Sequence, residues 1–190
     1  MKIRTRLFFS FGLLILFSIG VGAFAMFQMN ILSSLTTKLY YHPFTVTNTV
    51  RKININLAEI RSAMKSVALA KDDASLQEAI QKLTAYDQEV YDCFKVIKER
   101  FLGDQQDVDN LIKIYEEWKI LREKTMALKK EGKHEEVMLA VVSGTGASQY
   151  AKLREAMKTL TDFADSKAAE FLANARLQKE RSFLWLSVIM

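Results

Sequence analysis

The sequence predicts an all-α protein: an N-terminal transmembrane helix continuing into an up-down-up-down antiparallel four-helix bundle, with the start of a second transmembrane helix at the far end. Three observations predict it. Only seven glycines and one proline occur in 190 residues, so the chain is short of the turn residues a strand-rich fold needs. A charge-free apolar run opens the chain. Beyond it, apolar residues recur at alternating steps of four and three, the spacing of a packed helical seam.

The opening run covers residues 7–27. At about 1.5 Å per residue it reaches roughly 31 Å as a helix, against about 30 Å of bilayer hydrocarbon. Thirteen of its side chains are Leu, Ile, Phe or Val, which favour insertion by roughly 4–8 kcal/mol as an upper bound. Lys2, Arg4 and Arg6 precede it, and only Lys38 follows within about 15 residues. The excess of cations therefore predicts residues 1–6 in the cytoplasm and residues 28–181 outside. Ala23-Phe24-Ala25 fits a signal-cleavage pattern, but the run exceeds the 7–15 apolar residues typical of a signal peptide, so an uncleaved anchor is expected. Residues 182–190, SFLWLSVIM, are apolar with Trp185 at interfacial depth, and read as the opening of a second span in residues 182–190.

Four long helical segments fill the middle. The first has Val46, Val50, Ile53, Leu57, Ile60, Met64 and Val67, with Asp72, Asp73 and Ser75 supplying turn and cap chemistry after it. The second runs from Leu76 through Leu83, Tyr86, Val90, Phe94 and Ile97 to Phe101, and Gly103-Asp104 ends it. The third has Val108, Leu111, Tyr115, Trp118, Leu121, Thr125 and Leu128, stopped by Gly132. A short helix is expected over residues 133–142 and a break over residues 143–148. The fourth has Tyr150, Leu153, Met157, Leu160, Ala164, Ala168, Phe171 and Ala175, and meets no breaker before residue 182. Short connections force neighbouring helices antiparallel. Pro43, early in the first segment, predicts a kink and is a hinge candidate.

Chemistry is sparse. The net charge of +5 falls to about +2 once the three cations of the first six residues are set aside, and no basic cluster alternates with aromatics, so no nucleic-acid partner is expected. Cys93 is the only cysteine, which leaves no internal disulfide. His42 and His134 are far apart and lack metal-ligand spacing; there is no HExxH, GxSxG or phosphate-binding glycine loop. No cofactor, no metal and no catalysis are expected.

The basic start MKIRTRL, the span, Leu39-Tyr40-Tyr41-His42-Pro43-Phe44, Asn48-Thr49-Val50-Arg51-Lys52-Ile53, and Gly132, Ala140 and Ser143-Gly144 before Tyr150 stand in an order that resembles the four-helix-bundle sensor domain of methyl-accepting chemotaxis proteins. The resemblance implies a chemoreceptor in the inner membrane with its sensor domain in the periplasm or outside. It implies a homodimer, a small-molecule ligand or periplasmic binding protein, and a cytoplasmic adaptor and histidine kinase downstream. The same sensor type occurs on histidine kinases and diguanylate cyclases, and a structural membrane-anchored coiled-coil protein would share the pattern. In aspartate and serine chemoreceptors basic residues of the first bundle helix grip ligand carboxylates across the dimer interface. Arg61 and Lys65, four apart on one helix face, resemble two of those positions, and Asn56 stands at the third. Lys65 offers a point charge where an arginine would offer a bidentate fork. Arg51, Asn54, Arg154 and Thr161 are further candidates, the last two sharing a helix face.

Overall fold

The computed structural model describes residues 3–142 and 145–189, all in helices or short connections, with no strand among the described residues. Helix α1 is Ile3–Leu39, a π turn occupies Tyr40–Phe44, and α2 is Thr45–Leu69. Then come α3 (Asp73–Arg100), α4 (Gln105–Lys130), α5 (His134–Val142) and α6 (Thr145–Ile189). The chain divides into two compact units: residues 1–39 with 170–190, and residues 40–169.

In the first unit α1 carries the apolar run. An 18-residue window there has a mean hydropathy of 2.3 with none of it buried, so it is long and apolar enough to cross a membrane. Farther along, Phe24, Gln28, Ile31, Leu35 and Leu39 are half-buried, as are Phe171, Ala175, Gln178 and Ser182 of α6. Their steps of three and four mark the seam on which the two helices of this unit meet.

The second unit is the four-helix bundle, built from α2, α3, α4 and the first half of α6. Its contacts step in opposite directions along neighbouring helices. Lys52 of α2 pairs with Glu89 of α3 at 3.1 Å, while His42 Nδ1 in the π turn before α2 lies 3.1 Å from the Arg100 carbonyl oxygen at the end of α3. On α3 and α4, Lys98 pairs with Asp109 and Tyr91 donates to Glu116, each at 2.8 Å. One core joins the four helices: Ile53, Leu57 and Ile60 of α2, Ile97 of α3, Leu111 of α4 and Leu160 of α6 are fully buried within it. Each such side chain contributes about 1.5–3 kcal/mol of burial.

The connections follow from local chemistry. Asp72 caps α3, its side chain accepting from Ser75 N at 2.8 Å, and the Ser75 backbone N–H, then its hydroxyl, hold the carboxyl of this exposed cap below the usual carboxylate range. Gly103 lets the chain turn under an aromatic pair: a Cβ there would stand 2.6 Å from the Phe101 ring, which packs at 5.0 Å against Phe163. Gly132, at φ 76°, closes α4 with Gly132 N donating to Lys129 O and Lys133 N to Leu128 O, the paired bonds of a left-handed helix end. Pro43 sits inside the π turn, whose wider backbone accommodates a ring that would clash in an α-helix; the turn opens the second unit.

Two details depart from the sequence reading. Of the break expected over residues 143–148, Ser143 and Gly144 lie outside the described residues, whereas residues 145–148 are already in α6. Lys2 of the basic start also lies outside them. The second difference concerns the seam of α4. Past Trp118 the buried positions are Arg122, Thr125 and Lys129, while Leu121 and Leu128 are half-buried. On α3 the buried position is Asp87, and Tyr86 is half-buried. The heptad continues unbroken through charged residues that a search for apolar side chains passes over.

Candidate functional site

Those charged core residues define the edge of a site. Asp87 of α3 and Arg122 of α4 face each other inside the bundle, with side chains 10% and 4% exposed. Arg122 Nη1 donates to Asp87 Oδ2 at 3.2 Å and Nη2 to Oδ1 at 2.8 Å, a two-bond end-on pair. The Tyr115 hydroxyl donates to the same Oδ1. Burial, and then the bond to Asp87, push the Tyr115 phenol well above its ordinary range. The Arg122 guanidinium also stacks over Trp118, 4.5 Å from the ring centroid. One donor of that guanidinium is left over: Arg122 Nε is buried and has no hydrogen-bond partner.

Arg122 lines a cleft of about 220 Å³ between α2, α4, α5 and the first turn of α6. Arg61 and Lys65 of α2 form one wall, and Lys124 adds a further cation. Trp118, Leu121, Leu128 and Met64 supply the apolar surface, and Val141 closes it from α5. Thr145, Gly146 and Ala147 present the start of α6. No acidic residue lines the cleft among the described residues. Arg61 is held by the ring of Tyr150, 4.5 Å from its guanidinium carbon. Arg61, Lys65 and Lys124 make no ion pair among the described residues. The cleft is thus a partly apolar recess with an excess of positive charge.

Of the residues singled out in the sequence, the cleft brings together Arg61 and Lys65 alone. Asn56 is buried, 4% exposed, and donates to Glu89 Oε2 at 3.4 Å; that carboxylate lies below its ordinary range because it also accepts from Lys52. Arg51, Asn54 and Arg154 are exposed elsewhere on the bundle. The Thr161 hydroxyl donates to the Met157 carbonyl at 3.0 Å, within its own helix. Pro43 belongs to a separate small recess with His42 and Phe163. The sequence reading missed Arg122 and the α6 start. Extending the steps Val108, Leu111, Tyr115, Trp118 by heptad spacing rather than by hydropathy would have reached Arg122.

Among the described residues no cluster of three or more His, Cys, Asp or Glu is arranged to hold a metal ion. A family profile described as a four helix bundle sensory module for signal transduction matches residues 1–177, so it spans the apolar helix as well as the bundle. Comparison with curated proteins and with solved structures gives no match.

Proposed function

Because the chain belongs to the four-helix-bundle sensory modules of signal transduction, we propose that it is the extracytoplasmic sensor region of a bacterial transmembrane chemoreceptor. The observation that carries this reading is the single match over residues 1–177, which joins a bilayer-length apolar helix to a water-facing bundle. In this reading α1 anchors the chain in the inner membrane with its N-terminus inside, as the Arg4 and Arg6 flank favours. The bundle lies outside, and the module has no catalytic role. It acts as a homodimer whose occupancy by a small molecule or a binding protein is passed to a cytoplasmic adaptor and histidine kinase.

Signalling requires that the ligand favour one of two bundle arrangements; a ligand with equal affinity for both would change nothing. Couplings of this kind amount to about 1–3 kcal/mol. The cleft suits the role because it draws on α2, α4 and α6 at once, so a bound molecule bears on their mutual packing. Helix α6 contributes both to the cleft and to the apolar end of the chain, which makes it the route for the output.

Cysteine labelling in intact cells tests the topology. With Cys93 replaced by Ser, Glu59→Cys is expected to react with a membrane-impermeant maleimide and Ile3→Cys only after permeabilisation. The reverse pattern, or recovery of the chain in the soluble fraction, would refute the reading. Full-length receptors carrying a kinase or cyclase domain after this module would move the output away from chemotaxis while keeping the sensor.

A further inference from the structure

We propose that the groove between α1 and α6, just past the apolar run, binds one anionic phospholipid, with its phosphate on Lys179 and one acyl chain against Met29 and Leu32. The inference rests on the membrane-anchored reading given above, though not on which way the chain points across the bilayer.

The groove belongs to the first unit alone. Its walls include Gln28, Met29 and Leu32 of α1 with Lys179, Ser182 and Phe183 of α6, and its volume is about 240 Å³. Met29 and Leu32 stand beside the seam on which the two helices meet, and both are exposed; Phe183 does the same on α6. A lone exposed apolar side chain needs no explanation, but three around one recess form a surface that water covers poorly.

Depth names the occupant. The charge-free run ends at Phe27, so residues 28–32 are the next roughly 8 Å of helix. Beyond about 30 Å of hydrocarbon, each face of a bilayer carries a headgroup layer about 5–8 Å deep. The groove therefore opens where lipids present phosphate and glycerol, and acyl chains begin directly beneath it. An apolar recess at that depth is reached first by the bilayer's own chains, at a concentration that no dissolved ligand matches. The volume agrees. A cavity of about 150 Å³ holds the six carbons of benzene, so about 240 Å³ takes roughly nine or ten, the upper part of one acyl chain.

Charge selects among lipids. Lys179 lines the groove, and Arg176, three residues earlier, shares that flank of α6. Neither makes an ion pair among the described residues. No acidic residue lines the groove among the described residues; Glu180, the one acid in residues 171–183, is not part of the lining. The Lys179 stem can lie along the apolar wall while its ammonium reaches a phosphate. Each cation at an anionic lipid surface strengthens the attraction about fivefold. A zwitterionic lipid carries the same phosphate but neutralises it with its own ammonium, so a lipid with a net negative charge is preferred.

Native mass spectrometry of the full chain released from detergent micelles counts the lipids it retains. Phosphatidylglycerol and phosphatidylcholine with the same acyl chains are the probes, and glycerol 3-phosphate is the headgroup without chains. One phosphatidylglycerol per chain is expected, at a concentration at least tenfold below that needed for phosphatidylcholine. Lys179→Gln is expected to weaken its retention about fivefold and Leu32→Asn at least threefold; both positions are exposed, so the fold is spared. Lys152→Gln, an exposed cation of the bundle, is expected to change nothing. A hundredfold excess of glycerol 3-phosphate is expected to leave the lipid bound. Equal retention of the two lipids, indifference to Lys179→Gln, or displacement by glycerol 3-phosphate would each overturn the proposal. So would a Leu32→Asn variant that shifts the ratio of monomer to dimer with its lipid count unchanged, which would assign the groove to a second copy of this chain. Inverted labelling in cells with the lipid retained keeps this site and removes the receptor reading; correct labelling without lipid selectivity does the converse.

Discussion

Arg122 meets Asp87 inside the bundle with both side chains at heptad positions that usually hold leucine, and the Tyr115 hydroxyl shares the same carboxylate oxygen. The buried charge of each is tolerable only because of the other.

Asp87→Ala is accordingly expected to cost about 3–5 kcal/mol, since it strands the Arg122 charge in the core. The combined variant Asp87→Leu, Tyr115→Phe, Arg122→Met is expected to recover most of that loss, because apolar residues of similar volume can replace a buried pair at little cost. Urea unfolding of the two variants checks this. A combined variant no more stable than Asp87→Ala would argue against the pair as the cause.

Tyr115 sets an alkaline limit. Its folded pKa is raised above the unfolded value of 10.0, so its contribution is present below pH 10 and is lost as pH rises. Above that value the unfolded phenol ionises while the buried one stays neutral, and stability should fall by about 1.4 kcal/mol per pH unit from this group. Tyr115→Phe is expected to be less stable at pH 7 but to show a shallower decline between pH 10 and 11. Parallel slopes for the two proteins would rule the effect out.

Lys129, 9% exposed on α4, donates to the carbonyls of Ala68 and Ala70, each at 2.8 Å, and so closes the C-terminal end of α2. Lys129→Met keeps the stem and removes the donor. A loss of about 1–2 kcal/mol is expected, with faster amide exchange confined to the last turn of α2. Unchanged exchange there would show that solvent replaces the cap.

If α6 carries the output, its helical continuity matters more than its side chains. Two glycines inserted after Ala175 should abolish the response of a receptor in which this module precedes a chemoreceptor signalling domain, while leaving ligand affinity within about twofold. Each helical glycine costs about 1 kcal/mol relative to alanine and loosens the rod locally. Kinase activity assayed against ligand concentration would decide it, and an insertion variant that signals normally would sink the rod mechanism.

Helix type and order were legible because burial has a period. Val46 through Val67 lie at heptad steps, and all seven of the apolar residues read there are buried. Helix ends were legible where the chemistry is local, as at Asp72 and Gly132, since caps and left-handed turns involve residues within one turn of each other. The α6 start was placed too late, because Thr145 and Gly146 are weak helix formers and the apolar steps of that segment begin only at Tyr150.

The candidate site was half legible. Arg61 and Lys65 could be found because two cations one turn apart share a face whatever they touch. Lys124 was not singled out, and Asp87 and Arg122 were invisible to a search that equates core with apolar.

By itself, then, the amino-acid order determined the helices, their antiparallel succession and the long apolar N-terminal helix, because those depend on spacing along the chain and on hydration of one side chain at a time. Only the tertiary structure decided that Asp87 and Arg122 enter the core together, and that α2, α4 and α6 enclose a positively charged recess. The reason is that a charge is buried or exposed according to its partner, and the partners here are 35 residues apart.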